Sequence, residues 1–386
     1  MNVCNHLLES ICRRVFFTIF MIKNAIFAPK FEEFKNVIIC NDMAKTQTYS
    51  IFEARIKKSL KDYKNEKITK KIGEFRKKPN DMVLPEEFDE SHCDTPAMLY
   101  SGIIDEWKEI QKSDFKYKPH IYSFKHIASS QTACVNLFIP ILTNANADEI
   151  LRKSGIAPKD FDRIARRNSR YEGFHFEFGV GDLLEDNSGV ITDADVSIAY
   201  LNKNGEKCLW LIEHKLTEKD FTHCGGYKSN STVMKDNLEY KENCTQCSMA
   251  EILANPDLCY YHAVSKYKYW EIMNEYGGKE FFSGKYDDDG CPFRLGMNQL
   301  WRNQLLALAL ENKPNPYGYK HVCFSVVKHP DNPSLDKSIE KYKKLTNNSP
   351  KFSVFTSLDL IRAAQDFVDL KDWISWYKRV YHIMNE

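Results

Sequence analysis

The sequence predicts an α/β fold in which a central mixed β-sheet is flanked by helices. The first observation is a pair of apolar segments, 190–201 and 208–216, that are rich in β-branched and aromatic residues and are separated by turn-forming residues. A further apolar segment at 322–327 can join the same sheet, and the segment 297–312 has a strong helical pattern. Strands and helices mixed along one chain are typical of a sheet that is covered by helices.

The composition bounds the class of protein without identifying a partner. A chain of 386 residues can bury a sizeable core and form one large domain or two. Its 54 Lys and Arg balance 53 Asp and Glu, so net charge neither indicates nor excludes a nucleic-acid partner. Twelve cysteines without a convincing secretory signal indicate a reducing compartment. We therefore expect a cytoplasmic protein.

The first 42 residues differ from the rest of the chain. The apolar segment 15–29 is short for a membrane span, Lys23 interrupts it, and no convincing small-residue cleavage site follows. The residues that begin at Met43 look like an ordinary protein start. We interpret residues 1–42 as a leader or a mis-assigned start, and we expect no membrane partner.

Residues 43–120 are predicted to form a helical, basic N-terminal extension of the core. The segment 49–78 has a helical pattern and carries eleven Lys or Arg against four Asp or Glu. Such a surface can bind phosphates, because neutralising them releases counterions. A solvated helix face in a lysine-rich protein accounts for the same pattern, and both interpretations stay open.

The turn between the first two predicted strands decides which side chains share a face. A three-residue loop that ends at Gly205, with this glycine in the left-handed region, is a common hairpin closure. In that register Asp195 lies opposite Glu213, and Asp193 lies opposite Lys215. All four side chains then point to one face of the sheet. A loop with an even number of residues would place the charges of the two strands on opposite faces.

Carboxylates and a lysine inside an apolar hairpin are costly to bury without a purpose. Mg²⁺ takes oxygen ligands and is typically held by one or two carboxylates plus substrate phosphates. Asp195 and Glu213 are therefore candidate cation ligands, Asp193 is a further one, and Lys215 could orient or deprotonate an attacking water. An ordinary charged face of an antiparallel sheet explains the same residues, because Asp…Glu-x-Lys is a short and degenerate pattern.

These residues also carry a resemblance. Asp195, followed by Glu213-His214-Lys215 at the end of an apolar strand, resembles the PD-(D/E)XK nuclease superfamily. Ahead of it, the segment 129–138 is similar to the opening core helix of some members. Behind it, Gln299 and Arg302 are similar to the Gln-x-x-Arg pair of the helix that often follows the catalytic strand.

The match to the superfamily pattern is incomplete at one point. The proline of the signature is absent, and Asp193 and Asp195 are both candidates for its aspartate. In the resembled fold an additional acid can join the metal site, and Glu177, between aromatic residues of a predicted strand, is such a candidate. Glu177 is equally explained as an ordinary charged residue of a β-strand without a role in the site.

The resemblance implies a restriction-endonuclease-like core over residues 121–386. It implies a Mg²⁺-dependent deoxyribonuclease, with Mn²⁺ as an alternative cation and endonuclease action favoured. DNA is the implied partner, RNA is an alternative substrate, and a homodimer is compatible with such a core. The competing hypothesis is a catalytically inactive nucleic-acid-binding protein with a structural zinc site. The intact Asp, Glu and Lys set favours the enzyme.

A cysteine-rich insertion is predicted at about 223–291, after the hairpin. Cys244 and Cys247 are followed by Cys259 and His262, which gives a CxxC…CxxH spacing suited to tetrahedral Zn²⁺. Among twelve cysteines such a pattern can arise by chance, and Cys224 and Cys291 nearby blur the set. Structural zinc, an iron–sulfur cluster and buried free thiols are the three interpretations.

Overall fold

The fold is described by a computed structural model. The residues that the structure describes are 48–89, 92, 95–112, 125–181, 183–185, 191–229, 231, 235–286, 288–312 and 318–384. The leader predicted at 1–42 lies outside them. In the described parts of the chain, no helix is both long enough and apolar enough to cross a membrane.

A helix and a small hairpin precede the core. Helix α1 covers residues 48–67, and a two-stranded sheet follows it, formed by β1 (Gly73–Phe75) and β2 (Lys78–Asn80). The helical pattern predicted to 78 is therefore wrong beyond 67, because Arg76 and Lys77 adopt positive φ angles of 52° and 62° and turn the chain back. Helix α2 (Ile104–Lys112) comes next.

Much of the positive charge of α1 is balanced locally. Lys57 pairs with Glu53 at 2.7 Å, and Lys58 pairs with Asp62 at 2.5 Å. Lys64 is buried and donates to the backbone oxygen of Lys71. These contacts favour the solvated helix face over a dedicated phosphate-binding surface.

The central sheet is mixed and is built from six strands. The order is β3-β5-β6-β7-β8, and β4 also pairs with β5. Strands β3 and β4 are antiparallel to β5, β5 is antiparallel to β6, and β7 and β8 continue the sheet in parallel. The strands are β3 (Phe161–Ile164), β4 (Phe174–Gly179), β5 (Asp193–Asn202), β6 (Lys207–Lys215), β7 (Val322–Lys328) and β8 (Phe352–Thr356). The α/β class and the mixed sheet are confirmed.

The hairpin β5–β6 has the predicted register. Val196 pairs with Ile212 and Leu201 pairs with Lys207, which is the alignment of a three-residue loop. Gly205 has a φ of 78°, and its N–H donates to the oxygen of Asn202 at 2.8 Å. A residue with a Cβ would be strained in this conformation, so the glycine fixes the register.

Two layers of helices cover the sheet. Ser129 caps α3 (Ser130–Leu142), as predicted, by accepting the N–H of Thr132. The remaining helices of the described chain are α4 (Ala147–Lys153), α5 (Gly225–Lys228), α6 (Leu238–Gln246), α7 (Met249–Ala254), α8 (Tyr260–Ala263), α9 (Tyr269–Glu275), α10 (Gly278–Phe281), α11 (Asn298–Asn312), α12 (Asp336–Leu345), α13 (Ser357–Ala364) and α14 (Lys371–Val380).

Each face of the sheet has its own packing. On one face, Leu209 and Leu211 of β6 join the core that contains α11 and the insertion helices. On the other face, Trp210 packs on Phe355 at 5.8 Å. Helix α3 is fixed to α14, where the indole N–H of Trp373 donates to the oxygen of Asn136. Because side chains alternate along β6, Glu213 and Lys215 lie on the α11 face.

Candidate functional site

The hairpin brings a carboxylate from each strand to one place. Continuing the observed register places Asp195 opposite Glu213. The Asp195 Oδ2 atom accepts the backbone N–H of His214 at 2.6 Å, which fixes this carboxylate against β6. Burial, followed by the charges of Glu213 and Glu177, raises the pKa of Asp195 well above its usual range. The structure therefore places the predicted carboxylates together.

Three donors hold the carboxylate of Glu213. Its Oε1 atom accepts from Lys215 Nζ and from Gln299 Nε2, each at 2.7 Å, and its Oε2 atom accepts from Asn303 Nδ2 at 2.8 Å. Both amides come from α11, one helical turn apart, so the helix and the strand orient this acid jointly. Glu213 is only 3% exposed, and without these donors its burial would be costly.

Two further acids extend the cluster towards solvent. Glu177 of β4 has a φ of 51°, which is unusual for a non-glycine residue and is typical of functional sites. The protonated form of its carboxyl donates to Asp193, and the side chain of Gln131 on α3 also bonds to it. Asp193 is exposed, so the cluster opens to solvent on this side.

The raised pKa values of Glu177 and Asp193 indicate that negative charges are crowded in the cluster. Burial, with Asp193 as the next cause, raises the pKa of Glu177 to about 8. Burial and then Glu213 raise the pKa of Asp193 to about 6. Like charges that cannot all ionise together are stabilised by a bound cation.

Lys215 is the basic member of the cluster. Burial lowers its pKa, but the carboxylates of Glu213, Glu218 and Asp195 more than offset this, and the pKa is raised overall. Its side chain is 9% exposed, and its ammonium bonds to Glu213. Lys215 is therefore a protonated donor at neutral pH.

The donor set fits a hard divalent cation. Glu177, Asp193, Asp195 and Glu213 offer only oxygen atoms, which Mg²⁺ prefers. The Oε2 atom of Glu213 accepts one hydrogen bond in the structure, and a carboxylate oxygen has a second lone pair. Asp195 likewise accepts through Oδ2. Together, Asp195 and Glu213 could hold the cation, and Asp193 and Glu177 could complete its shell.

Arg302 lies beside the cluster and contacts a different set of residues. Its Nη1 atom donates to Thr192 Oγ1 at 3.3 Å, while its Nε atom is buried without a partner. Thr192 in turn bonds to the buried Glu185, which also accepts from Tyr269 at 2.7 Å. Arg302 thus braces the start of β5, and its charge lowers the pKa of Asp193.

Three residues of this region were missed by sequence reasoning. Asn303 could have been found from its place four residues after Gln299, which puts both amides on one helix face. Gln131 is a polar residue on a mostly apolar helix, and such a residue can bond to the site or to the backbone, so the sequence alone did not identify its partner. Glu185 lies in a segment with no strand or helix pattern, and no sequence signal indicated it.

The four predicted zinc ligands are not brought together. His262 pairs through Nδ1 with Asp257 at 3.0 Å and through Nε2 with Glu271 at 3.4 Å, so both ring nitrogens are occupied. Cys247 is partly exposed at the end of α6, whereas Cys244 and Cys259 are buried. These contacts leave the CxxC…CxxH set without its histidine.

Another group of ligand-type side chains lies at the far end of the hairpin. Ligand atoms of Asp160, Cys208 and His321 all fall within 4.8 Å of one another. His321 Nδ1 is 2.9 Å from Asp160 Oδ2, and Tyr200 donates to the other oxygen of Asp160. Cys208 lies near the start of β6 and Glu213 lies near its end, so this group is separate from the carboxylate cluster.

Comparison with known proteins gives one result for nearly the whole chain. A family model described as restriction endonuclease associating with ARP matches residues 50–382. No curated protein and no solved structure matches the chain. A restriction-endonuclease family is consistent with the PD-(D/E)XK resemblance of the hairpin motif.

Proposed function

The chain belongs to the family of restriction endonucleases associating with ARP, and we propose that it is a Mg²⁺-dependent nuclease that hydrolyses DNA phosphodiester bonds. The observation that carries the proposal is the carboxylate cluster on the β5–β6 hairpin with Lys215 bonded to Glu213. A scaffold protein has no evident need for four crowded acids, and the pKa values of Glu177, Asp193 and Asp195 among them are raised.

The arrangement of elements supports a restriction-endonuclease-like core. Helix α3 precedes the sheet, the antiparallel hairpin carries the acids and the lysine, and α11 follows with Gln299 directed at Glu213. Strands β7 and β8 then extend the sheet in parallel. We assign residues 121–386 to this core, with the segment 223–291 as an insertion and residues 43–120 as an extension.

Each side chain of the cluster has a distinct task. A bound Mg²⁺ supplies an activated water and stabilises the charge that develops on phosphorus. Asp195 and Glu213 would hold the cation, and Gln299 and Asn303 keep the Glu213 carboxylate in one orientation. The ammonium of Lys215, which is bonded to Glu213, would orient the water or stabilise the phosphate charge by donation.

Cleavage and binding must be measured separately, since an inactive binder would have the same fold. The protein is incubated with supercoiled, linear duplex and single-stranded DNA, and with RNA, in Mg²⁺, Mn²⁺, Ca²⁺ or EDTA. We expect cleavage of DNA in Mg²⁺ or Mn²⁺, binding without cleavage in Ca²⁺, and product from supercoiled DNA if the enzyme is an endonuclease.

Variants connect the activity to the cluster. Lys215→Met and Glu213→Gln are expected to remove cleavage and to leave DNA binding in Ca²⁺ within about threefold, because many phosphates contribute to affinity. Lys64→Met is the control for loss of a buried lysine, and Glu311→Gln is the control for an acid at the other end of α11. Wild-type protein that binds DNA and cleaves nothing in any cation would replace this proposal with the inactive binder.

A further inference from the structure

A mixed set of metal-ligand side chains lies at the end of the sheet away from the carboxylate cluster. Ligand atoms of Asp160, Cys208 and His321 lie within 4.8 Å of one another, and we name these residues the Asp–Cys–His group. Glu213 comes five positions after Cys208 on β6, which corresponds to roughly 17 Å of extended chain. Because side chains alternate along a strand, the two residues point to opposite faces of the sheet. The group is therefore a separate site, and it can be tested without any cleavage assay.

Backbone hydrogen bonds bring the three ligands to one place. Cys208 lies on β6, and the N–H of the next residue, Leu209, donates to the backbone oxygen of His321 at 2.9 Å. Asp160 immediately precedes β3, and its backbone oxygen accepts the N–H of Lys203 in the hairpin loop at 3.2 Å. The sheet itself thus fixes the relative positions of the residues that carry the ligand atoms.

A buried phenol orients the carboxylate of Asp160. Its Oδ1 atom accepts the hydroxyl of Tyr200 at 2.9 Å, and its Oδ2 atom is 2.9 Å from Nδ1 of His321. Tyr200 is fully buried, and its ring packs on Phe161 with ring centroids 5.4 Å apart, so the donor is held in one place. Carboxylates that ligate metals are commonly hydrogen-bonded by a neighbouring side chain in this way. The phenol leaves Oδ2 directed towards the imidazole.

The spacing of the ligand atoms fits a tetrahedral zinc ion after a small adjustment. Zn–N and Zn–O bonds of about 2.0–2.1 Å place nitrogen and oxygen about 3.3 Å apart, and a Zn–S bond of about 2.3 Å places sulfur about 3.6 Å from either. The contact between Asp160 Oδ2 and His321 Nδ1 is 2.9 Å, so it would open by about 0.4 Å. The two side chains are 33% and 46% exposed, which leaves them room to rotate.

Ligand type and charge favour zinc over magnesium. Thiolate and imidazole ligands select zinc and similar transition metals, whereas Mg²⁺ prefers oxygen ligands alone. A thiolate, a carboxylate and a neutral imidazole together balance the charge of a divalent cation. This balance lowers the cost of placing the ion beside Cys208, which is fully buried. Three protein ligands leave a fourth position for water, which can enter on the exposed side of the group.

We propose that the Asp–Cys–His group binds one Zn²⁺ ion, which joins β3, β6 and β7 at this end of the sheet. Binding releases the thiol proton of Cys208 to solvent and replaces the hydrogen bond between His321 and Asp160. The ion stabilises the folded chain, because the unfolded chain has no preformed site. The alternative is an ion pair of His321 with Asp160 beside a buried thiol, which has the same contacts and binds no metal.

The test is the zinc content of the full chain, purified without a histidine tag and without chelators. We expect about one zinc per chain, and we expect the thermal unfolding midpoint of zinc-free protein to rise as ZnCl₂ is added. Co²⁺ in place of zinc should give the sulfur-to-metal charge-transfer absorption of a bound thiolate. Folded protein that neither contains zinc nor takes it up would overturn the proposal in favour of the ion pair.

Variants identify the ligands. Cys208→Ser and His321→Ala are expected to lose most of the zinc, and Cys208→Ser should also lose the charge-transfer absorption of Co²⁺. His223→Ala is the matched control, because His223 bonds to Asp220 at 2.8 Å and lies outside the group. Cys247→Ser is expected to keep the zinc. Zinc that is lost by Cys247→Ser and kept by Cys208→Ser would return the site to the CxxC…CxxH set and overturn the assignment. If Cys208→Ser fails to fold, His321→Ala, at a half-exposed side chain, still decides it.

Tyr200→Phe tests the orientation of Asp160 without changing a ligand. It removes the donor to Oδ1 and keeps the ring, so we expect the Kd for zinc to rise about 10-fold with one ion still bound at saturation. Competition with a fluorescent zinc chelator measures the Kd. Tyr342→Phe is the control for loss of a buried hydroxyl, because that hydroxyl donates to the oxygen of Leu300. Equal Kd values for the two variants would overturn the assignment of Asp160 as a ligand.

Discussion

At the scale of single residues, the site depends on how a buried carboxylate is kept in place. Glu213 accepts from Lys215, Gln299 and Asn303, and these contacts offset the cost of burying its charge. Glu177 lacks such compensation. Its φ of 51° is strained for a residue other than glycine, and burial together with the nearby Asp193 disfavours its charged form, which raises its pKa. Binding of a cation compensates for such costs, which would otherwise have no evident reason.

The amide of Asn303 offers a direct test of carboxylate orientation. Asn303→Ala removes the donor to Glu213 Oε2, so we expect cleavage or Mg²⁺ affinity to fall about 10- to 100-fold, as is typical for residues that orient metal ligands. Cleavage rates measured over a range of Mg²⁺ concentrations provide the readout. Asn312→Ala, at the end of the same helix, is the matched control. Equal rates for Asn303→Ala and wild type would show that this bond has no functional role.

Replacing Glu177 is expected to raise the stability of the protein and to lower its activity. Glu177→Asn removes one charge and places a residue that tolerates the left-handed region, so we expect stability in EDTA to rise by about 1 kcal/mol while cleavage falls. Urea unfolding gives the stability. Lys266→Asn, at a φ of 60° outside the cluster, is expected to leave cleavage unchanged. A Glu177→Asn protein that is less stable than wild type would contradict the strain at this position.

At the scale of secondary-structure elements, the hairpin was predictable and its surroundings were only partly so. The turn residues and the glycine at 205 determined the register, and the register placed Asp195, Glu213 and Lys215 on one face. The strands and α11 followed from their apolar patterns. Asn303 was not predicted, although its place four residues after Gln299 puts both amides on one helix face, because only the fold shows that Glu213 is its partner.

Substitution of Gly205 tests whether the turn sets the register of the hairpin. Its left-handed φ has open space around it, so Gly205→Ala changes the backbone preference and creates no clash. We expect a loss of stability of about 1 kcal/mol with cleavage retained by the folded protein. Denaturant midpoints are compared with those of Lys203→Ala in the same loop, which should match wild type. No loss for Gly205→Ala would show that the turn does not require the glycine.

At the scale of the whole molecule, long-range packing decided what the sequence left open. Cys244 and Cys291 are distant in the chain, and only the fold of the insertion brings the N–H of Cys291 within 2.9 Å of the oxygen of Cys244. Spacing rules favoured Cys247 and His262 because those residues are close in sequence. The same limitation applies to His329, which is buried and bonds to the backbone oxygen of Tyr381, 52 residues later in the chain.

His329 predicts how global stability depends on pH. It accepts the N–H of Asp331 through Nδ1 and donates through Nε2 to the oxygen of Tyr381, so the folded state needs the neutral ring. Burial lowers its pKa to about 4. Because the unfolded chain binds this proton near pH 6.5, stability is lost as pH falls from about 6.5 towards 4, by an amount on the order of 3 kcal/mol for this group.

The measurement is the unfolding free energy of wild type and His329→Gln between pH 7.5 and pH 4.5. The glutamine can still donate to Tyr381 but does not titrate, so the decline of stability with falling pH should be smaller in the variant. Parallel pH profiles would show that His329 is not the group responsible.

The most direct test of the central claim is the position of a bound cation. Crystals of the protein grown with Mn²⁺ are measured at a wavelength where manganese scatters anomalously. The account predicts an anomalous peak in contact with oxygen atoms of both Asp195 and Glu213, at roughly 2.1–2.2 Å, with Lys215 on the same side of the sheet. A peak at Asp160, Cys208 and His321 with none at the carboxylate cluster would contradict it.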